Sequence, residues 1–338
     1  MRKKSASPFV TVGVIAKNEE VHIAETLHCI LDQDYPKSSF EIIFVNDRST
    51  DNTFSTVEQL QKKSKRIRII DTATHDAFGP CHARNCVIDA SNKKAAYITF
   101  TDADCSVPKH WLSSLVSAIG QQPRTVACVG GPRLPHPADS KQAQIISDLL
   151  SSGSAQERAP FATDSIANCN ALYRKDVLVK NRYDETLFNS DDNELNFRLR
   201  QQGLQLFFFP SVSIFHHEQA SACAFFSHML YYGRIMSKTM LKHKQSIRWY
   251  APTLAVLMLF FFIAAIAALF NPLVRFFFFL LLLTYVLILF LVTAEEIIMH
   301  KDPEYVRCVF LIPIMHAGYG WGVLTGLLMN RHLLRKSI

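Results

Sequence analysis

The sequence lacks the patterns that mark zinc modules, disulfide frameworks and nucleic-acid-binding proteins. Its eight cysteines form no CxxC pair and follow no common metal-ligand spacing, which is unlike a zinc finger. Seven of them precede residue 250 without a pairing pattern, and this usage favours a reducing compartment. The Lys and Arg residues form no long stripe interleaved with aromatic residues, and the formal net charge is only +7. Nucleic acid is therefore not expected as a partner.

The chain also lacks a secretory leader pattern and a glycine-rich phosphate loop. The basic start MRKK is followed by an apolar run over 9–16 that leads directly into Lys17 and Asn18. This run is too short for a signal peptide with its cleavage site, so we expect no cleaved leader. Neither GxxxxGK[ST] nor GxGxxG occurs. Any phosphate would then have to be bound through a metal ion and basic side chains.

Charged residues are scarce in the last quarter of the chain. Residues 251–338 contain six Lys+Arg and four Asp+Glu, and residues 251–270 and 276–293 contain no charge at all. At about 1.5 Å per residue, each run is close to the length that crosses a bilayer core of roughly 30 Å. We expect spans at 251–270, 274–293 and 308–328. The third run contains a His, a Pro and four Gly, so a re-entrant or interfacial segment is the alternative there.

Basic residues near the first span predict its orientation. Four of them precede the span, whereas the loop between the first two spans carries only Arg275. The four are Lys238, Lys242, Lys244 and Arg248. The positive-inside rule then places the N-terminal part in the cytoplasm. A third span would export the basic tail after residue 330, against the same rule, so the number of spans stays open.

Residues 221–250 have apolar positions on a helical repeat and basic residues at other positions. This pattern is typical of a basic amphipathic helix in the headgroup region, and an ordinary packed helix of the soluble domain is the alternative. The predicted organisation is a catalytic domain over 1–220, an interfacial segment over 221–250 and a transmembrane region over 251–330.

The first part of the chain alternates strand and helix patterns. Strands are predicted over 9–16, 40–45, 66–70 and 96–100, with helices over 23–31, 52–64 and 83–91. Such alternation predicts a mostly parallel sheet covered by helices on both faces. Polar clusters follow three strands, at 17–19, 46–51 and 101–104. Because ligands bind at the carboxyl ends of parallel strands, these clusters predict one shared site. Asn18, Glu19 and Glu20 are also expected to cap the first helix.

Asp102 and Asp104 flank Ala103 directly after a predicted strand. Residues i and i+2 of an extended segment point the same way, so both carboxylates can face one Mg²⁺ or Mn²⁺, which bring phosphate oxygens with them. Asp47, at the end of another strand, is placed to contact a base or ribose, and Arg84 to contact phosphate.

Asp191 and Asp192 begin a helix, either as a general base or as acids that favour its N-terminus. His216 and His217 end a strand predicted over 206–215. They could supply a nitrogen ligand to the same metal or to a diphosphate, with His216 as the metal candidate, and ordinary core or surface histidines are the alternative.

Five segments together resemble the family 2 inverting glycosyltransferases over about residues 8–218. They are VTVGVIAKNEE, EIIFVNDRSTDNT, FGPCHARNCVIDAS, YITFTDADC, and IANCNALYRKDV with the later DDNELNFRLRQQG. The resemblance implies the GT-A fold, an α/β domain with a Rossmann-like mixed sheet, here followed by C-terminal transmembrane helices. It also implies a nucleotide-diphosphate sugar as donor and a DxD motif that binds a divalent metal.

The resemblance assigns roles to particular residues. Asp47, Arg84 and Asp102 would contact the donor, Asp104 would bind the metal, and Asp192 would be the catalytic base. From their positions we add further candidates: Asn18 and Glu19 for the donor, His216 for the metal, and Asn170 and Asp191 for the acceptor. The family usually has Glu-Asp where this chain has Asp191-Asp192, which leaves the role of Asp191 open.

Gln245, Arg248 and Trp249 match the QxxRW motif of processive polysaccharide synthases. The motif lies near the acceptor in those enzymes, which usually have more spans, so a chance match in a basic segment is the alternative.

The sequence as a whole predicts a membrane-bound inverting glycosyltransferase of polysaccharide biosynthesis, with a lipid-linked or cell-envelope glycan as acceptor. The expected location is the bacterial inner membrane, with the catalytic domain in the cytoplasm. A polyprenyl-phosphate sugar synthase and a processive synthase are the alternative enzymes. An inactive subunit of a polysaccharide export assembly is the non-enzymatic alternative, and the presence of Asp102, Asp104 and Asp192 argues against it.

Overall fold

The computed structural model describes residues 7–151, 159–187, 191–243 and 250–330. The chain divides into two compact units. The first comprises residues up to His136 together with Ser151–His217, and the second comprises Pro137–Leu150 and the residues from Glu218 onward. The segment 137–150, which the sequence-based division places in the catalytic domain, thus belongs to the second unit.

The first unit contains an eight-stranded mixed sheet with the strand order β3-β2-β1-β4-β9-β6-β10-β8 and a small sheet with the order β5-β11-β7. The strands are β1 (Phe9–Ala16), β2 (Phe40–Asn46), β3 (Ile67–Asp71), β4 (Ala95–Asp102), β5 (Cys105–Ser106), β6 (Val126–Gly130), β7 (Arg133–Pro135), β8 (Phe161–Thr163), β9 (Ala171–Arg174), β10 (Gln205–Phe208) and β11 (Ile214–His216). Strands β1 to β4 are parallel, whereas β9 is antiparallel to both β4 and β6. The mixed α/β sheet is the fold that the resemblance implied.

Helices cover both faces of the large sheet because its central strands are apolar on both faces. The helices of this unit are α1 (Ile23–Leu31), α2 (Thr53–Lys63), α3 (Pro80–Ala90), α4 (Trp111–Gly120), α6 (Lys175–Lys180) and α7 (Asp191–Gln201). Alternate residues of β2 enter opposite cores: Ile42 and Phe44 lie in one, and Ile43 and Val45 lie in the other. This alternation is the period of two that a strand imposes. It also determines the position at which the polar residues after β2 leave the sheet.

The single strand predicted over 206–215 is wrong. The structure has two strands there, β10 and β11, in different sheets. Pro210 has no N–H to continue a ladder, and the N–H of Val212 turns back to the carbonyl of Phe209 at 3.0 Å. As a result β11 pairs with β5, which sets His216 opposite Cys105.

The second unit is helical. It contains α5 (Lys141–Leu150), α8 (Ala222–Lys242), α9 (Tyr250–Phe270), α10 (Pro272–His300) and α11 (Cys308–Met329). Three segments are long and apolar enough to cross a membrane: Pro252–Phe270, Pro272–His300 and Pro303–Met329. Helix α10 continues past residue 293, where the apolar run stops, and its last residue is His300. The next residue, Lys301, has a φ of 52°, in the left-handed region. A left-handed residue is a common helix terminator.

Helices α8 and α11 approach each other closely at glycines. Gly318, Gly322 and Gly326 are spaced by four residues, so they share one face of α11. A Cβ added to Gly322 would lie 2.3 Å from the carbonyl oxygen of Leu230, and one added to Gly233 would lie 2.3 Å from that of Tyr319. Small residues at such spacing let the backbones of two helices pack directly. Helix α8 is therefore a packed helix, and its predicted place in the headgroup region stays a prediction.

We expect Gly322→Ala to destabilise the second unit by about 1–3 kcal/mol, because the added methyl meets backbone atoms that cannot rotate away. The measurement is the thermal midpoint of the detergent-purified chain. Gly120→Ala is the matched control, since a Cβ there meets nothing within 4 Å; its midpoint should stay or rise. Equal midpoints for Gly322→Ala and the unchanged protein would contradict the close packing.

Candidate active site

The loops that follow β1 and β2 are linked to each other by hydrogen bonds. Asn18, with a left-handed φ of 59°, accepts from the N–H of Thr50 at 2.7 Å through Oδ1. The N–H of Glu19 donates to Oγ1 of Thr53 at 2.7 Å, and Glu20 accepts from the N–H of Asn52 at 2.9 Å. The expected capping of α1 by residues 18–20 is wrong: this helix begins after His22 without a side-chain cap. These polar residues instead fix one loop against the other.

Asp47 lies directly after β2 and holds the loop 72–79 that follows β3. Its side chain is almost fully buried, with 4% exposure of the residue. Its carboxylate accepts from the N–H of Gly79 at 3.0 and 3.1 Å and from Oγ1 of Thr72 at 3.2 Å. Gly79 has a φ of 97°, which glycine adopts at little cost. A carboxylate offers about four acceptor positions. Asp47 can therefore accept a further hydrogen bond from a ligand while it holds this loop.

Arg84 projects from α3 to the end of β4. Its Nη2 donates to Oδ1 of Asp102 at 3.2 Å, and its guanidinium lies 5.8 Å from the ring centre of Phe100 and 5.9 Å from that of Tyr183. The guanidinium is therefore held between two rings and a carboxylate. This arrangement places a fixed positive charge beside the DxD motif.

Asp104 and His216 meet although 112 residues separate them in sequence. Oδ1 of Asp104 lies 3.4 Å from Nε2 of His216, and the N–H of His217 donates to the carbonyl of Asp104 at 3.0 Å. Burial raises the pKa of the Asp102 carboxyl; Arg84 opposes that shift and Asp104 adds to it. Burial also raises the pKa of the Asp104 carboxyl. The two carboxylates thus repel each other when both are ionised, and a bound cation would relieve that repulsion.

The residues at this edge fit a divalent cation. Ligand atoms of Asp104, Cys105 and His216 lie within 4.8 Å of one another, and Asp102 is two residues from Asp104 at the end of β4. Carboxylate oxygens are the ligands that Mg²⁺ and Mn²⁺ prefer. Asp102, Asp104 and His216 are the side chains that could hold such an ion.

Glu19 adds a third acidic group to this edge. Burial, together with the negative charges of Asp104, Asp102 and Asp51, raises its pKa from 4.5 to about 7. A carboxyl with this pKa is partly protonated near neutral pH.

The raised pKa of Glu19 predicts a pH-dependent stability. The folded state holds this proton between pH 4.5 and about 7 and the unfolded chain loses it, so the unfolding free energy falls as pH rises through that window. The fall should be well under the roughly 3 kcal/mol of an unscreened shift, because the side chain is partly exposed to solvent. Glu19→Gln mimics the protonated form and should remove this part of the slope. Thermal midpoints measured across the window without divalent cations test this. The exposed Glu58→Gln is the control, and identical slopes for Glu19→Gln and the unchanged protein would contradict it.

A second group beside Asp104 was missed by the sequence analysis. It consists of Glu25, Ser106, His136 and His217. Oε1 of Glu25 lies 3.1 Å from Nε2 of His136, and the hydroxyl of Ser106 donates to the same oxygen. The His136 and His217 rings stack at 3.8 Å, and His22 stacks on the other face of His217 at 3.9 Å. The sequence carries no short-range signal for this set, because its members come from four separate segments.

Asp192 lies in the first turn of α7, where its Oδ1 accepts from the N–H of Asn193 at 2.6 Å. Burial raises the pKa of the Cys81 thiol and of the Tyr183 hydroxyl; Arg84 opposes these shifts and Asp192 adds to them. The role of Asp192 stays a prediction.

The predicted acceptor residues are placed differently. Asn170 is 1% exposed, and its amide accepts from Nε1 of Trp111 at 2.8 Å and donates to the carbonyl of Val212 at 2.6 Å. These bonds tie three segments together, and they do not support a direct contact with an acceptor. The side chain of Asp191, and all of Gln245, Arg248 and Trp249, lie outside the described residues.

Comparison with known proteins decides the family. A family model described as glycosyl transferase family 2 matches residues 11–181, just over half of the chain. The chain belongs to glycosyl transferase family 2. This glycosyltransferase has the GT-A fold described above, and the matched segment includes the DxD motif and Arg84.

Individual relatives cover different shares of the transferase. A dolichyl N-acetyl-alpha-D-glucosaminyl phosphate 3-beta-D-2,3-diacetamido-2,3-dideoxy-beta-D-glucuronosyltransferase from Methanococcus voltae is 23% identical, over 95% of this chain and 97% of its own. The probable glycosyltransferase YdaM from Bacillus subtilis is 29% identical, over 62% of this chain and 51% of its own. A Pyrobaculum calidifontis mannosyltransferase, solved with GDP-Man and Mn²⁺, superimposes with a TM-score of 0.63 at 18% identity, over 96% of this chain and 88% of its own.

Proposed function

We propose that this glycosyltransferase moves a sugar from a nucleotide-diphosphate donor to a hydroxyl of a lipid-linked sugar, with inversion at the anomeric carbon. The observation that carries the proposal is the convergence of Arg84, Asp102, Asp104 and His216 at the carboxyl edge of the sheet, through contacts of 3.2 and 3.4 Å. Such an edge is where open α/β sheets bind nucleotides. A fixed cation beside two carboxylates suits a diphosphate held together with a divalent metal.

Each donor-binding residue has a definite task in this proposal. Asp47 accepts hydrogen bonds from the base or ribose and holds the adjoining loop in place. Arg84 faces the diphosphate, and its contacts with Phe100 and Tyr183 keep its charge from turning away. Asp104 and His216, with Asp102, would hold Mg²⁺ or Mn²⁺. When bound, the metal neutralises charge on the departing nucleoside diphosphate.

Asp192 is the proposed general base. It takes the proton of the acceptor hydroxyl while that oxygen forms a bond to the anomeric carbon. The bond from this carbon to the diphosphate oxygen breaks in the same displacement, and the electron pair leaves with the nucleoside diphosphate. Attack from the opposite face inverts the configuration, so no covalent enzyme intermediate is needed.

Two observations favour a lipid-linked acceptor over a soluble one. Three segments of the second unit are long and apolar enough to cross a membrane. The Methanococcus relative, which matches along 95% of this chain, is named for transfer to a dolichyl-phosphate-linked sugar. We propose that the catalytic unit acts on the cytoplasmic side of the cell membrane, as the basic residues before the first span predict.

The test is to incubate the detergent-purified enzyme with membrane lipids and a panel of radiolabelled nucleotide sugars. We expect a labelled lipid that carries at least two sugars and releases them on mild acid treatment. A labelled lipid with a single phosphate-linked sugar would instead identify a polyprenyl-phosphate sugar synthase. A growing polymer would identify a processive synthase. Asp192→Asn is the matched control, and a product that it forms as fast would not come from this site.

A further inference from the structure

A further cluster of metal-ligating atoms in the first unit shares no residue with the DxD motif or with the Glu25 group. It consists of His75, His82 and Cys86. Nδ1 of His75 lies 3.0 Å from Nε2 of His82. The sulfur of Cys86 lies 3.5 Å from that same Nε2 and 3.9 Å from Nδ1 of His75. Three ligand atoms from three side chains thus face one point.

The fold brings these residues together from two elements. His82 and Cys86 are four residues apart on α3, so they share one face of the helix. His75 follows the short 3₁₀ turn Thr72–Thr74 and approaches from the loop before α3. The sequence shows His-x6-His-x3-Cys, which is not a common zinc-finger spacing. That is why the cysteine pattern did not reveal the cluster.

The orientation of His82 is set by a carboxylate. Its Nδ1 lies 2.9 Å from Oε2 of Glu185, whose Oε1 accepts from Nδ2 of Asn85 at 2.7 Å. In the tautomer whose Nδ1–H donates a hydrogen bond to Glu185, Nε2 of His82 carries the lone pair that a metal ion would bind. A carboxylate on the far nitrogen of a ligating histidine is the usual support of a zinc ligand.

The separations suit a tetrahedral ion. Bonds of about 2.0–2.1 Å to nitrogen and about 2.3 Å to sulfur set ligand atoms roughly 3.3–3.6 Å apart around Zn²⁺. Of the three observed distances, 3.5 Å lies within that range, 3.0 Å lies below it and 3.9 Å lies above it. We propose that His75, His82 and Cys86 form a binding site for Zn²⁺, with Glu185 as the positioning residue and water at the fourth position.

This site differs in chemistry from the DxD edge. A thiolate and two imidazoles select Zn²⁺ and similar borderline ions, whereas carboxylates select Mg²⁺ and Mn²⁺. The two ions would therefore not compete strongly for one place. One chain would bind a tightly held zinc ion as well as the divalent ion used in transfer.

The zinc ion would fasten the loop 72–79 to α3. This loop is already held by the two residues that follow β2: Asp47 accepts from the N–H of Gly79, and Nε of Arg48 donates to the carbonyl of Thr72 at 3.3 Å. Arg84 lies on the same helix as His82 and Cys86. Metal binding would thus fix the loop and the helix that flank the donor site, in a part of the chain far from the membrane helices in sequence.

The experiment titrates Co²⁺ into the full-length, detergent-purified chain after its metal has been removed. Cobalt gives an intense near-ultraviolet charge-transfer band only when a thiolate is a ligand. We expect that band in the unchanged protein and its loss in Cys86→Ser. We also expect one zinc per chain by elemental analysis after purification without chelator. Glu185→Gln should keep the band but weaken cobalt affinity by about 10–100-fold.

Controls separate this cluster from other thiols. Cys105 lies beside Asp104 and His216, so Cys105→Ser tests whether the band arises there, and Cys223→Ser removes an exposed thiol elsewhere. Both should keep the band. The proposal is overturned if the unchanged protein shows no thiolate band, or if only Cys105→Ser removes it. If Cys86→Ser does not fold, the other two variants decide. Cobalt affinity that is unchanged in both Glu185→Gln and His75→Asn would overturn the proposal, and His75 and His82 would then be a simple hydrogen-bonded pair.

Discussion

Replacing Asp192 with Asn is expected to lower turnover by about 10²–10⁴-fold, which is the usual contribution of a positioned proton acceptor. Asparagine keeps the shape of the side chain and its contact with the N–H of Asn193, but it cannot accept the acceptor's proton. Donor binding should therefore survive. The measurements are turnover with saturating acceptor and donor affinity by titration of the nucleotide sugar.

The adjacent acid provides the matched control. Asp191→Asn changes the same charge one residue earlier in α7, and it should cost little if Asp192 is the base. If Asp192 serves only the start of the helix, its replacement should cost only about 0.3–1 kcal/mol, because Asn is itself a good cap. Near-normal turnover in Asp192→Asn would refute the assignment. A collapse in Asp191→Asn alone would move the base one residue upstream.

Removing divalent cations with EDTA is expected to reduce transfer to background, and Mg²⁺ or Mn²⁺ should restore it. The physical reason is that Asp102 and Asp104 face the place where the diphosphate is proposed to bind, and without a cation they would repel it. Asp104→Asn should raise the metal concentration needed for half-maximal activity and weaken donor binding in parallel. Activity measured against metal concentration, with donor affinity in the same buffers, checks both effects.

Asp32→Asn is the control for the metal experiment. Asp32 is an exposed acid of the same unit, and its ion pair with Lys109 spans 3.6 Å, so its loss should leave the metal dependence unchanged. Restoration must be tested with Mg²⁺ or Mn²⁺ alone and again after zinc has been restored, since EDTA also removes zinc. Full activity in excess EDTA would contradict the metal assignment.

The carboxyl edge of the sheet could be predicted from the sequence because each apolar run ends abruptly in polar residues. The run FEIIFV is buried on both faces as β2, so its end, and with it Asp47, could be placed from the pattern alone. Asp102 and Asp104 were predictable for the same reason. The interlocking of Asn18 with Thr50 was not, since the same residue types also cap helices, and sequence alone does not distinguish the two uses.

The detailed pairing of distant segments could not be predicted. The sequence suggested His216 as a ligand of the same metal as Asp104, but not how the two meet. Pro210 splits one apolar run into two strands, and the resulting pairing of β11 with β5 brings His216 to Asp104. Glu25 and His136 meet across 111 residues, a separation over which no periodicity carries information. Likewise, the glycines of α11 were visible as small residues, but their partner α8 was not. Patterns of two and 3.6 residues report which face is buried, not what covers it.

The assignment of α5 to the second unit changes how a soluble catalytic fragment should be made. Ile145 and Ile146 of this helix are fully buried and share an apolar cluster with Phe225 and Met229 of α8. A fragment that simply stops near residue 217 would retain α5 and lose that cover, leaving an apolar helix face exposed to water and prone to aggregate. A usable fragment needs an internal deletion as well, with a short polar linker in place of residues 137–150.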